Sequence, residues 1–201
     1  MGLTSSANSK AKEDYQTYLS GCTHFKKGHS SLLQSDIDLY HPNFPEFEED
    51  LILIFERAFD ETDATGSELQ MFRKRLQSRK MLKSRHASQL LYANFEVLSG
   101  LCIEKVIGRV ALEYSEVTLE SVIQNKAHDL INSSNRFGDE KVPLADRVLN
   151  LLLSTVNGLQ AFEEIGLYHG FLQPQSILVF NASGNSLFKL QDVSLISPFE
   201  K

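Results

Sequence analysis

Residues 158–178 read GLQAFEEIGLYHGFLQPQSIL, and this stretch contains most of the turn-forming residues near the end of a long apolar run. It starts inside a run of apolar residues at helical spacing, reaches Gly166, which is suited to end a helix, and meets Pro174 shortly before a strand-like run. Its apolar and turn-forming positions are Leu159, Phe162, Gly166, Leu167, His169, Leu172, Pro174, Ile177 and Leu178. The pattern predicts a long helix, a turn-rich loop and a strand.

Without a gap, this stretch resembles the catalytic-loop pattern of the protein kinases, G-L-x-x-L-H-x-x-G-I-x-H-R-D-L-x-x-x-N-I-L. The positions that perform the chemistry differ. Phe171 stands in place of the catalytic Asp, Gln173 in place of the following Lys, and Ser176 in place of the metal-binding Asn. Phosphoryl transfer needs a carboxylate to orient the attacking hydroxyl, and ligands for magnesium. The resemblance therefore implies a kinase-like fold without kinase chemistry.

The remaining elements follow the order of a kinase from its third strand to its DFG motif. They are a strand at Leu51–Phe59, a helix at Ser67–Arg85, strands at Gln89–Leu98, Leu101–Ile107 and Arg109–Tyr114, a short helix after Leu119, a helix at Pro143–Glu164, and strands at Ile177–Phe180 and Leu187–Gln191. The expected class is α+β and protein kinase-like. A small N-lobe with an antiparallel sheet and one helix would precede the first part of a helical C-lobe.

This resemblance also implies a division of the chain into three parts. Residues 1–14 are small and polar and are expected to form a disordered leader. Residues 15–114 correspond to the N-lobe, although 15–40 could hold either two short strands or a helix. Residues 115–201 correspond to a partial C-lobe that stops after the DFG-equivalent motif.

At two further positions the resemblance implies a charged residue that binds or supports phosphate, and this chain has an uncharged one. Five other residues remain as candidate nucleotide contacts. The phosphate-binding Lys of the third strand falls near Phe55, and its partner Glu falls near Ser78. The positions implied to face a nucleotide are Leu112, Glu113, Tyr114, Ser115 and Asp192. At the metal-binding positions only Asp192, which stands where the DFG acid would be, offers a carboxylate, and one side chain holds Mg²⁺ weakly. No metal site and no cofactor are therefore predicted.

Packing roles are expected for three residues of the loop. His169 corresponds to a structural histidine, with Leu82 and Val193 as its stacking neighbours. Phe171 and Gln173 are expected to be packing residues, with the phenyl ring filling the floor of the cleft.

The net charge, the number of cysteines and the first residues of the chain indicate which partners it binds and in which cell compartment it lies. The 201 residues have a net charge of −6, which argues against a nucleic-acid partner because phosphate binding needs clustered Lys and Arg. Two cysteines, no secretory signal and no long apolar run indicate a cytoplasmic protein. The start MGLTSS fits the N-myristoylation pattern at Gly2, so membrane association is a second expectation.

The helix predicted at Pro143–Glu164 has apolar residues on more than one side. In a kinase, helices that follow the DFG motif cover this helix. The surface is therefore expected to be covered by a protein partner, by a second copy, or by the first 50 residues.

The resulting expectation is a catalytically inactive pseudokinase that acts as an interaction or scaffold protein, with a structural component of a larger assembly as a related case. The alternative is an atypical or fragmentary Ser/Thr kinase that binds ATP. Nucleotide binding separates the two classes.

Overall fold

The computed structural model describes residues 3–30, 35–43, 51–60, 67–99, 104–124, 144–182, 185–192 and 195. The chain divides into two units, one of residues 1–80 with 90–114 and the other of residues 81–89 with 115–201. The first unit contains a five-stranded antiparallel sheet with helices, and the second contains helices and a two-stranded antiparallel sheet. The α+β class predicted from the sequence is confirmed.

In the first unit, the strand order is β1-β2-β3-β5-β4 and each neighbouring pair is antiparallel. Its elements are α1 (Leu3–Ser20), β1 (Cys22–Ser30), β2 (Ser35–Pro42), β3 (Leu51–Asp60), α2 (Ser67–Arg79), β4 (Leu90–Ser99) and β5 (Glu104–Tyr114). The strand expected at 51–59 and that expected at 89–98 are confirmed.

Helix α2 packs on one face of the sheet through aromatic rings. The Phe72 ring lies 5.2 Å from that of Phe59 and 6.1 Å from that of Phe95, measured between centroids. Arg57 of β3 forms an ion pair with Glu68 in the first turn of α2. Because side chains alternate along a strand, every second residue of β3 turns to this face.

Helix α1 packs on the opposite face, which differs from the expectation of a disordered leader. Tyr15, Tyr18 and Leu19 lie against a buried cluster that contains Ile52 and Ile54. The sequence of α1 is mostly polar, so the spacing of apolar residues did not predict this helix. Its apolar contacts come from a few residues near its C-terminal end. With helices on both faces, the uninterrupted apolar start of β3 is buried throughout.

Gly108 lies inside β5, whereas the sequence predicted a turn there between two strands. A Cβ at this position would lie 2.9 Å from the Phe72 ring and 3.2 Å from the Phe95 ring. The glycine therefore makes room for aromatic packing rather than ending a strand. Residues 101–103, where the first of the two predicted strands was to begin, lie outside the described residues.

Helix α2 ends at Arg79, six residues before the predicted end at Arg85. The segment that follows belongs to the second unit. Leu82 and Ala87 enter the buried cluster of that unit, so tertiary packing ends the helix earlier than its sequence pattern suggests.

The second unit is built around a long helix and a hairpin. Its elements are α3 (Leu119–Gln124), α4 (Leu144–Glu164), a 3₁₀ turn (Pro174–Ser176), β6 (Ile177–Ala182) and β7 (Asn185–Leu190). The predicted short helix, long helix and hairpin strands are confirmed, while Pro143 and Val193 lie outside the described residues.

Residues 86–88 lie alongside β7. Leu190 donates from its backbone N–H to the His86 carbonyl at 2.9 Å, and Ser88 donates to the Leu190 carbonyl at 2.9 Å. The core of this unit comprises Leu82, Ala87, Phe162, Ile177 and Leu190.

Candidate functional site

The C-terminal end of α4 positions the loop at 166–176. Gly166 has φ of +71° and donates its N–H to the Glu163 carbonyl at 2.9 Å. Leu167 donates to the Phe162 carbonyl at 2.9 Å, which completes a Schellman motif. The glycine that the sequence marked as a helix end therefore has a left-handed backbone that few other residues adopt.

Gly158 allows α4 to approach residues 86–88. A Cβ there would lie 2.7 Å from the His86 carbonyl oxygen and 2.9 Å from Leu190. Only a residue without a side chain fits this close approach in the middle of a helix.

His169 is a buried structural residue, 4% exposed. Its Nε2 donates to the Gln191 carbonyl at 2.9 Å, and its ring lies edge-on to that of Phe162 at 5.4 Å. The donated proton places hydrogen on Nε2 of the imidazole. His169 thus connects the loop to the chain after β7.

The side chains of Phe171 and Gln173 are both partly open to solvent, and the expectation that they pack at the floor of a cleft stays a prediction. Phe171 is 44% exposed, and Gln173 is also exposed. The loop turns between Gly170, with φ of +70°, and Pro174.

The Ser176 hydroxyl is occupied by the loop itself. Its Oγ donates to the Gln173 carbonyl at 2.8 Å and accepts the Gln173 N–H at 3.1 Å, and the residue is 0% exposed. A hydroxyl that caps its own turn and is shielded from solvent is poorly placed to bind a metal ion.

The residues predicted to face a nucleotide belong to different units. Leu112, Glu113 and Tyr114 end β5 in the first unit, where the first two are buried. Ser115 belongs to the second unit, and its hydroxyl donates to the Val179 carbonyl at 2.6 Å. Asp192, also in the second unit, is 0% exposed.

Phe55 and Ser78 both lie in the first unit. Phe55 is buried in β3, and Ser78 is partly buried in the last turn of α2. Neither side chain carries a charge that could hold a phosphate or orient a lysine. Gly2, the predicted acylation site, lies outside the described residues.

An ion network under α1 was missed by sequence reasoning. Arg109 pairs with Glu56 through a 2.7 Å hydrogen bond and also with Glu96, and its guanidinium lies 4.6 Å from the Tyr15 ring centre. Burial tends to lower the Arg109 pKa, but the two carboxylates outweigh it and raise that pKa. Glu56 and Arg109 are direct cross-strand partners, which becomes visible only when the register is known.

An apolar surface lies along α4 in the second unit. Five aliphatic side chains of α4 are between 48% and 58% exposed: Val148, Leu149, Leu152, Leu153 and Val156. A groove of about 670 Å³ continues from Val156 and is lined by Val156, Leu159, Gln160, Glu163, Leu167, Tyr168 and His169. We call the five side chains and this groove the α4 surface.

No protein-family model matches the chain, and no curated protein matches it. Among the described residues, no group of three or more His, Cys, Asp and Glu side chains could hold a metal ion. Within the same residues, no helix is both long and apolar enough to cross a membrane.

Proposed function

We propose that this chain is a kinase-like, catalytically inactive protein that acts as an interaction or scaffold module. The state of the loop at 166–176 is the observation on which the proposal rests. A phenyl ring occupies the place where a carboxylate would orient the attacking hydroxyl, and the Ser176 hydroxyl is bound within its own turn.

The element order supports the kinase-like part of the proposal. An antiparallel sheet carries α2 between its third and fourth strands, and a short helix, a long helix and a hairpin follow. This is the order that the resemblance implies. Helix α1 on the other face of the sheet is an addition to it.

The α4 surface supports the interaction part. Contiguous apolar patches of this kind mark contact sites when they are rimmed by polar residues. We expect a protein to cover it, either a single partner or several in a larger assembly. The proposal places the protein in the cytoplasm, with acylated Gly2 as a membrane attachment point.

The alternative, an atypical or fragmentary kinase, would require ATP to bind. The test compares phosphate transfer from radiolabelled ATP by the wild-type protein and by a Phe171→Asp variant. Phe171 is 44% exposed, so the substitution should leave the fold intact and alter stability by only about 0.5 kcal/mol. We expect neither protein to exceed a blank without protein, and neither to gain thermal stability from ATP with Mg²⁺.

An Asp192→Asn variant serves as the control for contaminating activity. Turnover that survives this substitution would come from a contaminant. Turnover that is lost with it, in a variant shown to be folded, would establish catalysis and contradict the proposal.

A further inference from the structure

The α4 surface has an uncharged centre. From Val148 to Phe162 the sequence has no Asp, Glu, Lys or Arg. The five exposed aliphatic residues recur at spacings of one and three, which places them on one side of the helix. A charged side chain placed against this centre would be desolvated without a partner, which is costly.

Acidic residues stand at both ends of that centre. Asp146 is exposed in the first turn of α4, and Glu163 and Glu164 are exposed in the last turn. Glu163 also lines the groove, while Glu164 accepts a hydrogen bond from Gln160 at 3.0 Å. Asp146 and Glu163 are separated by about 25 Å along the helix axis, at 1.5 Å per residue.

The acids at the C-terminal end lie in an unfavourable local field. Helix dipoles make a C-terminus partly negative, and no basic residue occupies the last turn of α4. Arg147 lies near the other end of α4, about 24 Å from Glu163 along the helix axis, so it does not offset the acids at this end. It is partly buried, on the side of the helix away from the aliphatic residues. A positive group from outside would therefore be stabilised at this end.

The α4 surface is suited to a partner segment that is itself helical. The backbone groups of α4 are bonded within the helix, so the surface offers no strand edge with which an extended peptide could pair. A partner must satisfy its own backbone hydrogen bonds while presenting apolar side chains. An amphipathic helix meets both conditions, with anchors one turn apart that enter the groove near Val156 and Leu159.

We infer that the α4 surface binds an amphipathic helix of a partner protein whose apolar face is flanked at both ends by Lys or Arg. This inference rests on the proposed interaction function and specifies its partner. The basic flanks would meet Asp146 at one end and Glu163 with Glu164 at the other. An anionic lipid surface is disfavoured because the same acids would repel it.

Two other occupants of the α4 surface, the N-terminal segment of the same chain and a second copy of the chain, fit less well. In the described parts of the N-terminal segment, Tyr15, Tyr18 and Leu39 are packed against the sheet of the first unit or buried in it. If two copies paired through antiparallel α4 helices, the acids of one copy would approach those of the other. The α4 surface contains no basic group that would lie between them. A basic partner satisfies the charges at both ends.

The test uses two designed helical peptides of roughly 18 residues, a length that spans the distance between the acids. Both have leucines at positions i, i+3, i+4 and i+7, and they differ only in carrying Lys or Glu at both ends. We expect the full-length protein to bind the Lys-ended peptide at least tenfold more tightly, as measured by fluorescence anisotropy or calorimetry.

Two sets of variants assign the binding to this surface. Leu152→Glu should abolish binding, whereas Ile123→Glu should not, because Ile123 is an equally exposed residue on α3 of the same unit. Asp146→Lys combined with Glu163→Lys and Glu164→Lys should reverse the preference towards the Glu-ended peptide. Circular dichroism of each variant confirms that it is folded.

Three results would overturn the inference: equal affinity for the two peptides, binding that Leu152→Glu leaves unchanged, or self-association of the wild type that Leu152→Glu abolishes. The last would identify a second copy as the occupant. None of these outcomes bears on phosphate transfer, so the proposed absence of catalysis stands or falls by the ATP experiment alone.

Discussion

Single glycines determine how closely elements of the second unit approach one another. Gly158 lies in the middle of α4, where alanine would ordinarily favour the helix by about 1 kcal/mol. Its missing side chain leaves space for the His86 carbonyl oxygen, which is itself bonded to β7. Close packing against backbone is harder to relieve than contact with the end of a flexible side chain.

We expect Gly158→Ala to lower the free energy of unfolding by about 1–3 kcal/mol, because overpacking outweighs the gain in helix propensity. Urea denaturation measures the change. Gly166 provides a comparison, because an added Cβ there would have open space around it. Only its φ of +71° restricts which residues can replace it. Asn, which tolerates this backbone, should be accepted at Gly166 and rejected at Gly158. A more stable Gly158→Ala protein would show that residues 86–88 move aside freely.

At the scale of elements, α1 is attached to the sheet by tyrosines rather than by an aliphatic stripe. The Tyr18 and Tyr92 rings are stacked with centroids 4.6 Å apart, and Asn94 donates to the Ala11 carbonyl at 2.8 Å. Burial, with a smaller contribution from the charge of Glu56, raises the pKa of Tyr15 to about 12. Burial also raises the pKa of Tyr18.

These shifts predict that α1 detaches in alkali. An unfolded tyrosine ionises near pH 10. The neutral phenols therefore stabilise the folded state fully below pH 10, and this stabilisation is lost as pH rises through about 12 for Tyr15. We expect helical circular dichroism to fall over this window, together with the rise of tyrosinate absorbance.

The control for this prediction replaces Tyr15 and Tyr18 by Phe, which retains the rings and removes the titrating hydroxyls. The double variant should keep its helical signal to higher pH than the wild type. Identical alkaline transitions in the two proteins would mean that another group governs the loss of structure.

At the scale of the whole molecule, two units with separate cores share one chain. Residues 81–89 follow α2 in sequence but belong to the second unit, so the boundary is crossed more than once. Leu82 lies in the core of the second unit, while Phe72 lies in that of the first. Damage to one core should therefore loosen mainly its own unit.

We expect Leu82→Ala, at a cost of about 2–5 kcal/mol, to raise hydrogen exchange in α4, β6 and β7 while β3 and β5 remain protected. Phe72→Ala, at a cost of about 3–5 kcal/mol, should show the opposite pattern. Exchange followed by mass spectrometry of peptides distinguishes the two patterns. Equal effects of both substitutions on both units would indicate a single cooperative structure.

Part of the candidate site could be predicted from the sequence because it depends on local chemistry. Phe171 and Ser176, which the resemblance aligns with a catalytic Asp and a metal-binding Asn, are visible in the sequence itself. The helix end at Gly166 follows from the properties of glycine. The structure added that Phe171 faces solvent and that the Ser176 hydroxyl is used within its turn, since both depend on how the loop folds back.

Strand β3, helices α2 and α4 and the hairpin of β6 and β7 were predictable from the sequence, because apolar periodicity and turn residues act over short distances. Only the tertiary structure placed α1 on the sheet, put Gly108 inside a strand and drew Leu82 into the second core. It also left the aliphatic residues of α4 exposed. Periodicity shows which side of an element is apolar, but the elements that pack against that side determine whether it is buried.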